Sequence, residues 1–216
     1  MPGPVAAEPP ARERALGALT GLALGDALGM PTQSMSPARI RRCYGTITGL
    51  RDAVAEQPIA PSVPAGTVTD DTEQALILAG LLIDGGGRID PHQLADALLR
   101  WEDDMRARGS LDLLGPSTKL ALERVRAGAD PHCTGRQGTT NGAAMRVAPV
   151  GIAFSLSADG DALARAVRAS CLVTHDTRQG FEAAGLLAAA VSAAIDGVDA
   201  AGALEAALDF VAAHPE

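Results

Sequence analysis

The chain has 216 residues, 47% of them apolar and only 2% aromatic, so one domain of ordinary to large size must fill its core with Ala, Leu, Val and Ile. Ala and Leu favour helix. A formal net charge of -8 argues against nucleic acid as the main partner, because phosphate recognition needs basic clusters.

Residues 1–10 carry Pro and Ala but no positive region ahead of an apolar stretch, and read as a disordered leader rather than a signal peptide. Residues 11–216 read as one all-helical domain. A helix is predicted over 12–30, where Leu16, Leu19, Leu22, Ala23 and Ala27 recur at helical spacing. Gly17, Gly21, Gly25 and Gly29 fall every fourth residue along it. Each glycine costs about 1 kcal/mol against Ala, so close approach of a backbone or a ligand is expected to offset them, with the helix central and tightly packed.

Pro31 ends that helix, a short one follows Ser36-Pro37, and residues 45–68 form a long Gly/Pro-rich loop. The next helix starts near Asp70, with Asp70 and Glu73 at capping-box spacing, and stops at Gly85-Gly86-Gly87. Further helices are predicted from Pro91 to Arg108, from Gly115 to before Gly128, over Asn141–Phe154 with a kink at Pro149, over Asp161–Val173, Asp176–Ile195 and Asp199–Ala213. No alternating strand pattern occurs, so the fold class is all-α, of roughly eight or nine helices. Cys43, Cys133 and Cys171 are widely spaced and contain no CxxC pair, so neither a zinc motif nor a disulfide framework is indicated. Reduced thiols, together with apolar stretches too short for a bilayer, read as a soluble cytoplasmic protein without a membrane partner.

Five segments carry chemistry. Thr69-Asp70-Asp71-Thr72 clusters hard oxygens at a helix mouth; the pattern alone favours helix capping, and the same oxygens suit Mg²⁺, Mn²⁺ or Ca²⁺, two readings that can hold together. Asp26, on the glycine-striped helix, is either a buried structural carboxylate or a support behind a metal. Gly115-Pro116-Ser117-Thr118 is a turn and cap, or a phosphate-receiving helix start. Arg146, among Met145, Val147 and Ala148, needs an acidic partner or an anionic ligand. His175 is a satisfied structural histidine or a ligand, while His92, His132 and His214 read as loop or surface residues.

Taken in order, GALTGLALGDALGMP from Gly17, GTVTDDTE from Gly66, GPST from Gly115, NGAAMRVAPVG from Asn141 and TH at Thr174 resemble the ADP-ribosylglycohydrolase family. The resemblance implies a compact orthogonal helical bundle holding two magnesium (or manganese) ions in a central cleft. It implies hydrolysis of the bond between ribose C1″ and a nitrogen or oxygen of an acceptor, such as an ADP-ribosylated protein or a small ribosyl metabolite. Thr69, Asp70 and Asp71 match half of the family's metal ligands, with Asp70 and Asp71 also catalytic and Asp26 supporting them. Gly115, Ser117 and Thr118 match its pyrophosphate loop. Asn141, Gly142, Met145, Arg146 and His175 match its ribose and nucleotide side.

Two departures stand out. Gln33 occupies a position where the family usually has a metal-centre Glu, and an amide cannot act as a carboxylate base; this points to a different substrate or weaker hydrolysis. The family's C-terminal Asp-x-Asp-Thr/Ser segment has no match, so a fragment, a split protein or a degenerate member is expected. Three functions compete: a metal-dependent ADP-ribosyl hydrolase, a non-catalytic ADP-ribose or nucleotide-binding module, and a structural helical domain. Asp70, Asp71 and Arg146 argue against the last; Gln33 with the unmatched C-terminal segment favours the binding module for this chain as written, while the hydrolase is the expected function of a longer parent protein.

Overall fold

A computed structural model describes residues 10–109 and 114–215. The predicted leader, Pro10 excepted, lies outside the described residues. Among the described residues ten α-helices run in chain order: α1 Ala11–Gly29, α2 Pro37–Tyr44, α3 Asp70–Asp84, α4 Pro91–Ala107, α5 Pro116–Arg126, α6 Gly142–Met145, α7 Ala148–Ala153, α8 Gly160–His175, α9 Arg178–Ile195 and α10 Ala200–Ala213. Short 3-10 turns lie at Met30–Thr32 and Pro131–Cys133. No strand occurs among the described residues, in agreement with the all-α reading.

The starts of these helices follow from local chemistry. Ser36, Thr69, Asp90, Asp159, Thr177 and Asp199 each accept a backbone N–H of the first turn, satisfying donors that the helix itself leaves unpaired. Pro37, Pro91 and Pro116 occupy first-turn positions, where a missing N–H costs nothing.

α9 lies at the centre, against α6, α7, α8 and α10. The main core combines Leu78 and Leu82 of α3, Leu94 and Leu98 of α4, Val150 of α7, Val167 of α8, Ala184 and Ala188 of α9 and Phe210 of α10. Small residues let helices approach closely. A Cβ on Gly151 of α7 would come within 2.3 Å of the Ala188 carbonyl oxygen of α9, so only glycine fits there.

Three expectations are corrected. α1 is peripheral among the described residues: Ala27 alone is buried within it, Leu16 is 65% exposed, and nothing lies within 4 Å of a Cβ built on Gly17, Gly21, Gly25 or Gly29. Among the described residues no backbone packs on that stripe, although α1 meets α3, α7 and α9. The helix expected over Asn141–Phe154 divides at Arg146–Val147 rather than kinking at Pro149, which sits in the first turn of α7. Glu73 does not close a capping box. Thr69 is the cap of α3, and the Glu73 carboxylate turns away to accept from Trp101 Nε1 at 2.6 Å and from Arg108.

The 45–68 segment is tied down. The Tyr44 hydroxyl accepts from Val54 N–H at 3.0 Å and sits 3.1 Å from the Pro31 carbonyl oxygen. The buried Gln57 side chain donates to the Met30 and Gln33 carbonyls and accepts from Ile59 N–H and Ala60 N–H. These bonds fix the path that carries the chain from α1 to the start of α3.

Candidate functional site: an acidic cleft at the start of α3

A cleft of about 320 Å³ opens between the end of α1, the start of α3 and α6. Its walls include Gly25, Asp26, Gln33, Thr69, Asp71 and Asn141, with Met145 also lining it. Its volume falls in the range of small-molecule sites.

Asp26 organises this wall. Its Oδ2 accepts from Thr69 N–H at 2.7 Å, Thr72 N–H at 3.2 Å and the Thr72 hydroxyl at 2.6 Å, while Oδ1 accepts from the Thr69 hydroxyl at 2.7 Å. One carboxylate thereby caps α3 from a different helix and fixes the Thr69 side chain. The structural meaning considered for Asp26 is the one these bonds carry, and the residue itself lines the cleft.

Asp71 faces the cleft, with its Oδ2 3.2 Å from the Thr69 hydroxyl. Burial, then the neighbouring Asp26 charge, raises its carboxyl above the usual range. Asp70 is 4% exposed, and the Gly115 backbone at the start of α5 partly offsets the effect of that burial on its carboxyl. Burial first, then the Asp71 and Asp26 charges, pushes it up to about 7. Among the described residues no salt bridge reaches Asp26, Asp70 or Asp71. Like charges lie close enough to raise the affinity of Asp70 and Asp71 for a proton, and carboxylate and hydroxyl oxygens are donors of the kind a hard divalent cation takes. Of the three expected metal ligands, Thr69 and Asp71 line the cleft and the buried Asp70 does not.

The remaining sequence candidates divide. Gln33, Asn141 and Met145 reach the cleft together with Asp26, Thr69 and Asp71. Gly115 does not line the cleft and acts on it only through its backbone's influence on Asp70. Ser117 and Thr118 are buried beneath the loop, and the Ser117 hydroxyl accepts from Thr139 N–H at 3.3 Å. Gly142 is packed on His175, where an added Cβ would meet Cε1 at 2.5 Å.

Arg146 and His175, expected on the ribose side, are fully enclosed. Arg146 has neither an acidic partner in hydrogen-bond reach nor access to an anion. Nη1 donates to Gln74 Oε1 at 2.8 Å, and Nη2 donates to the Ser170 carbonyl at 3.0 Å and the Thr174 hydroxyl at 2.6 Å. Burial lowers its pKa to about 10, so it stays a cation at neutral pH, and the Asp70 charge opposes that shift. The break between α6 and α7 is what turns residue 146 inward, under α3.

His175 sits between the Thr174 hydroxyl, 2.8 Å from Nδ1, and the Thr140 hydroxyl, 2.9 Å from Nε2. Burial first, and then the Arg146 charge, lowers its pKa to about 3. The folded protein therefore disfavours the imidazolium. Its contribution to stability is complete above the unfolded value near 6.5 and is lost as pH falls toward the folded value. We expect the cost of His175→Asn to shrink by about 1.4 kcal/mol per pH unit between roughly 6.5 and 4. Comparing urea unfolding of wild type and variant at each pH isolates this from Asp70, whose raised pKa has the opposite sign. A pH-independent difference would refute it.

Sequence reasoning missed Leu22 and Met30 as cleft residues, and Gln74, Ser170 and Thr140 as polar partners in the interior. The glycine stripe was the one available signal for part of this: Gly25 and Gly29 do line the cleft.

The described residues thus form an all-helical bundle with an acidic, oxygen-lined cleft at a helix start. The chain belongs to the ADP-ribosylglycohydrolase family, whose profile matches residues 7–216. It is 37% identical over 185 residues to protein YegU of Escherichia coli (strain K12), covering 86% of this chain and 55% of that protein. It is 32% identical over 198 residues to the ADP-ribosylarginine hydrolase Tri1 of Pseudomonas putida (strain GB-1), covering 88% of this chain and 48% of the relative. A solved structure titled ADP-ribosylglycohydrolase-related protein complex superposes with TM-score 0.69 at 33% identity, covering 95% of this chain and 64% of that one. The chain thus spans about half the length of the curated relatives it matches.

Proposed function

We propose that the chain carries the cation-binding half of a hydrolase that cleaves an ADP-ribosyl N-glycosidic bond, with Thr69, Asp70 and Asp71 holding magnesium or manganese. The observation that carries this reading is the Asp71 carboxylate on the wall of the cleft beside Asp26, with no salt bridge to either among the described residues. When bound, hard divalent ions supply positive charge that orients ribose hydroxyls and acidifies a water.

The chain's own residues do the rest. Asp26 spends its lone pairs on α3, which holds the Thr69 oxygen and the Asp71 carboxylate at fixed positions. Asp71 is the carboxylate placed to take a proton from an attacking water, toward the oxocarbenium-like state of glycoside hydrolysis. Gly25 leaves room for a sugar beside Asp26, and Asn141 offers an amide to its hydroxyls. Gln33 orients polar groups but accepts no proton. The name of the Pseudomonas putida relative supports ADP-ribosylarginine as a substrate class to try first.

A second reading, a binding module for ADP-ribose, is favoured by Gln33 in the cleft wall. Release of ADP-ribose from ADP-ribosylarginine, followed with Mg²⁺ and again with excess chelator, tests both. Magnesium-dependent release supports the hydrolase. Calorimetric binding of ADP-ribose without release supports the module, and neither signal rejects both.

A further inference from the structure

Outside the acidic cleft, three metal-binding side chains meet on the surface. His92 stands in the first turn of α4, and Asp130 and His132 belong to the 3-10 turn at Pro131–Cys133. One ligand atom from each lies within 4.8 Å of the others, and all three residues are exposed. The local chain explains why they meet. Asp130 Oδ1 caps the 3-10 turn, accepting from His132 N–H at 3.0 Å, and lies 2.9 Å from His132 Nδ1. Asp90 Oδ1 accepts from His92 N–H at 2.9 Å, which fixes the backbone at that histidine. The two imidazole rings approach edge-on with centroids 5.3 Å apart.

We propose that His92, Asp130 and His132 form a surface site for a divalent transition-metal ion of the zinc class, separate from the oxygen-only cleft at α3. Two imidazoles with one carboxylate are a donor set suited to zinc, nickel or copper, whereas magnesium and calcium take oxygen ligands. Zinc holds such donors at about 2.0–2.2 Å in a tetrahedron, which sets neighbouring donors about 3.3 Å apart. The 2.9 Å between His132 Nδ1 and Asp130 Oδ1 is already on that scale. The exposed rings have room to turn by the small amount that brings His92 in. Water completes the coordination. His132 binds through the Nδ1 lone pair, so the proton shared with Asp130 moves to Nε2 or to solvent. Once bound, the ion ties the first turn of α4 to the connection between α5 and α6, the segment that delivers Thr140 to His175 and Asn141 to the cleft.

The test is a zinc titration of the protein against a chromogenic chelator near neutral pH, with magnesium in excess. One equivalent is expected to bind with a Kd of about 10 µM or tighter, and to raise the thermal midpoint by about 5 °C at saturation. His92→Ala and His132→Ala are each expected to weaken binding at least ~10-fold. Asp71→Asn and Cys133→Ser are expected to leave it unchanged. Wild type failing to take up one equivalent overturns the proposal. So does binding that survives both histidine substitutions, follows Asp71, or vanishes with Cys133. Because the three side chains are exposed, the variants are expected to melt like wild type without zinc, so lost binding reads as lost ligands.

Discussion

Asp71→Asn is expected to abolish magnesium uptake at the α3 cleft and to lower ADP-ribosyl hydrolysis by about 10³-fold or more, while leaving the thermal midpoint unchanged or higher. The two halves of this expectation have one cause. Asp71 is held among like charges, with burial and Asp26 both raising its affinity for a proton. A carboxylate in that position is unfavourable until a cation arrives. The amide keeps the shape and an oxygen for the Thr69 hydroxyl 3.2 Å away, and removes the repulsion with the ligand site. Calorimetric titration with Mg²⁺, product release and a thermal melt on one preparation read all three quantities. A variant that still binds magnesium and turns over at the wild-type rate would remove Asp71 from the site.

Arg146→Met is expected to have the largest effect on the fold, destabilising it by about 3–5 kcal/mol and lowering the thermal midpoint by about 10 °C. The guanidinium is fully buried and joins α6 to α3 through Gln74 and to α8 through Ser170 and Thr174. Methionine replaces the stem but leaves the Gln74 oxygen, the Ser170 carbonyl and the Thr174 hydroxyl facing an apolar chain. Arg146→Lys is expected to recover only part of the loss, since one ammonium cannot span acceptors on two helices with the geometry of a planar fork. Denaturant unfolding checks this; a difference below about 1 kcal/mol would show that these bonds contribute little net stability.

Local signals carried the outline of the fold. Pro91, Pro116 and the hydroxyl or carboxylate caps mark helix starts that depend on one turn of chain, and Gly86 and Gly87 close α3 with φ values of 58° and 86°. The oxygen cluster at Thr69–Asp71 was legible for the same reason. What remained hidden depends on distant partners. The acceptors of Arg146 lie 24 to 72 residues away, so its apolar neighbours suggested an anion where the interior supplies uncharged oxygens. Glu73 has the spacing of a capping box, yet Trp101 and Arg108, 28 and 35 residues on, offer it a better bond. The glycine stripe of α1 looked like a packing face because spacing cannot distinguish a face that meets a backbone from one that opens on a cleft.

Trp101 is the only tryptophan in the chain, and its indole N–H donates to Glu73, in the first turn of α3. Its fluorescence therefore comes from a single chromophore wired by one hydrogen bond to the helix turn that presents Asp70 and Asp71. No label has to be attached to watch that turn. The emission of the native protein is its own optical gauge of what happens there.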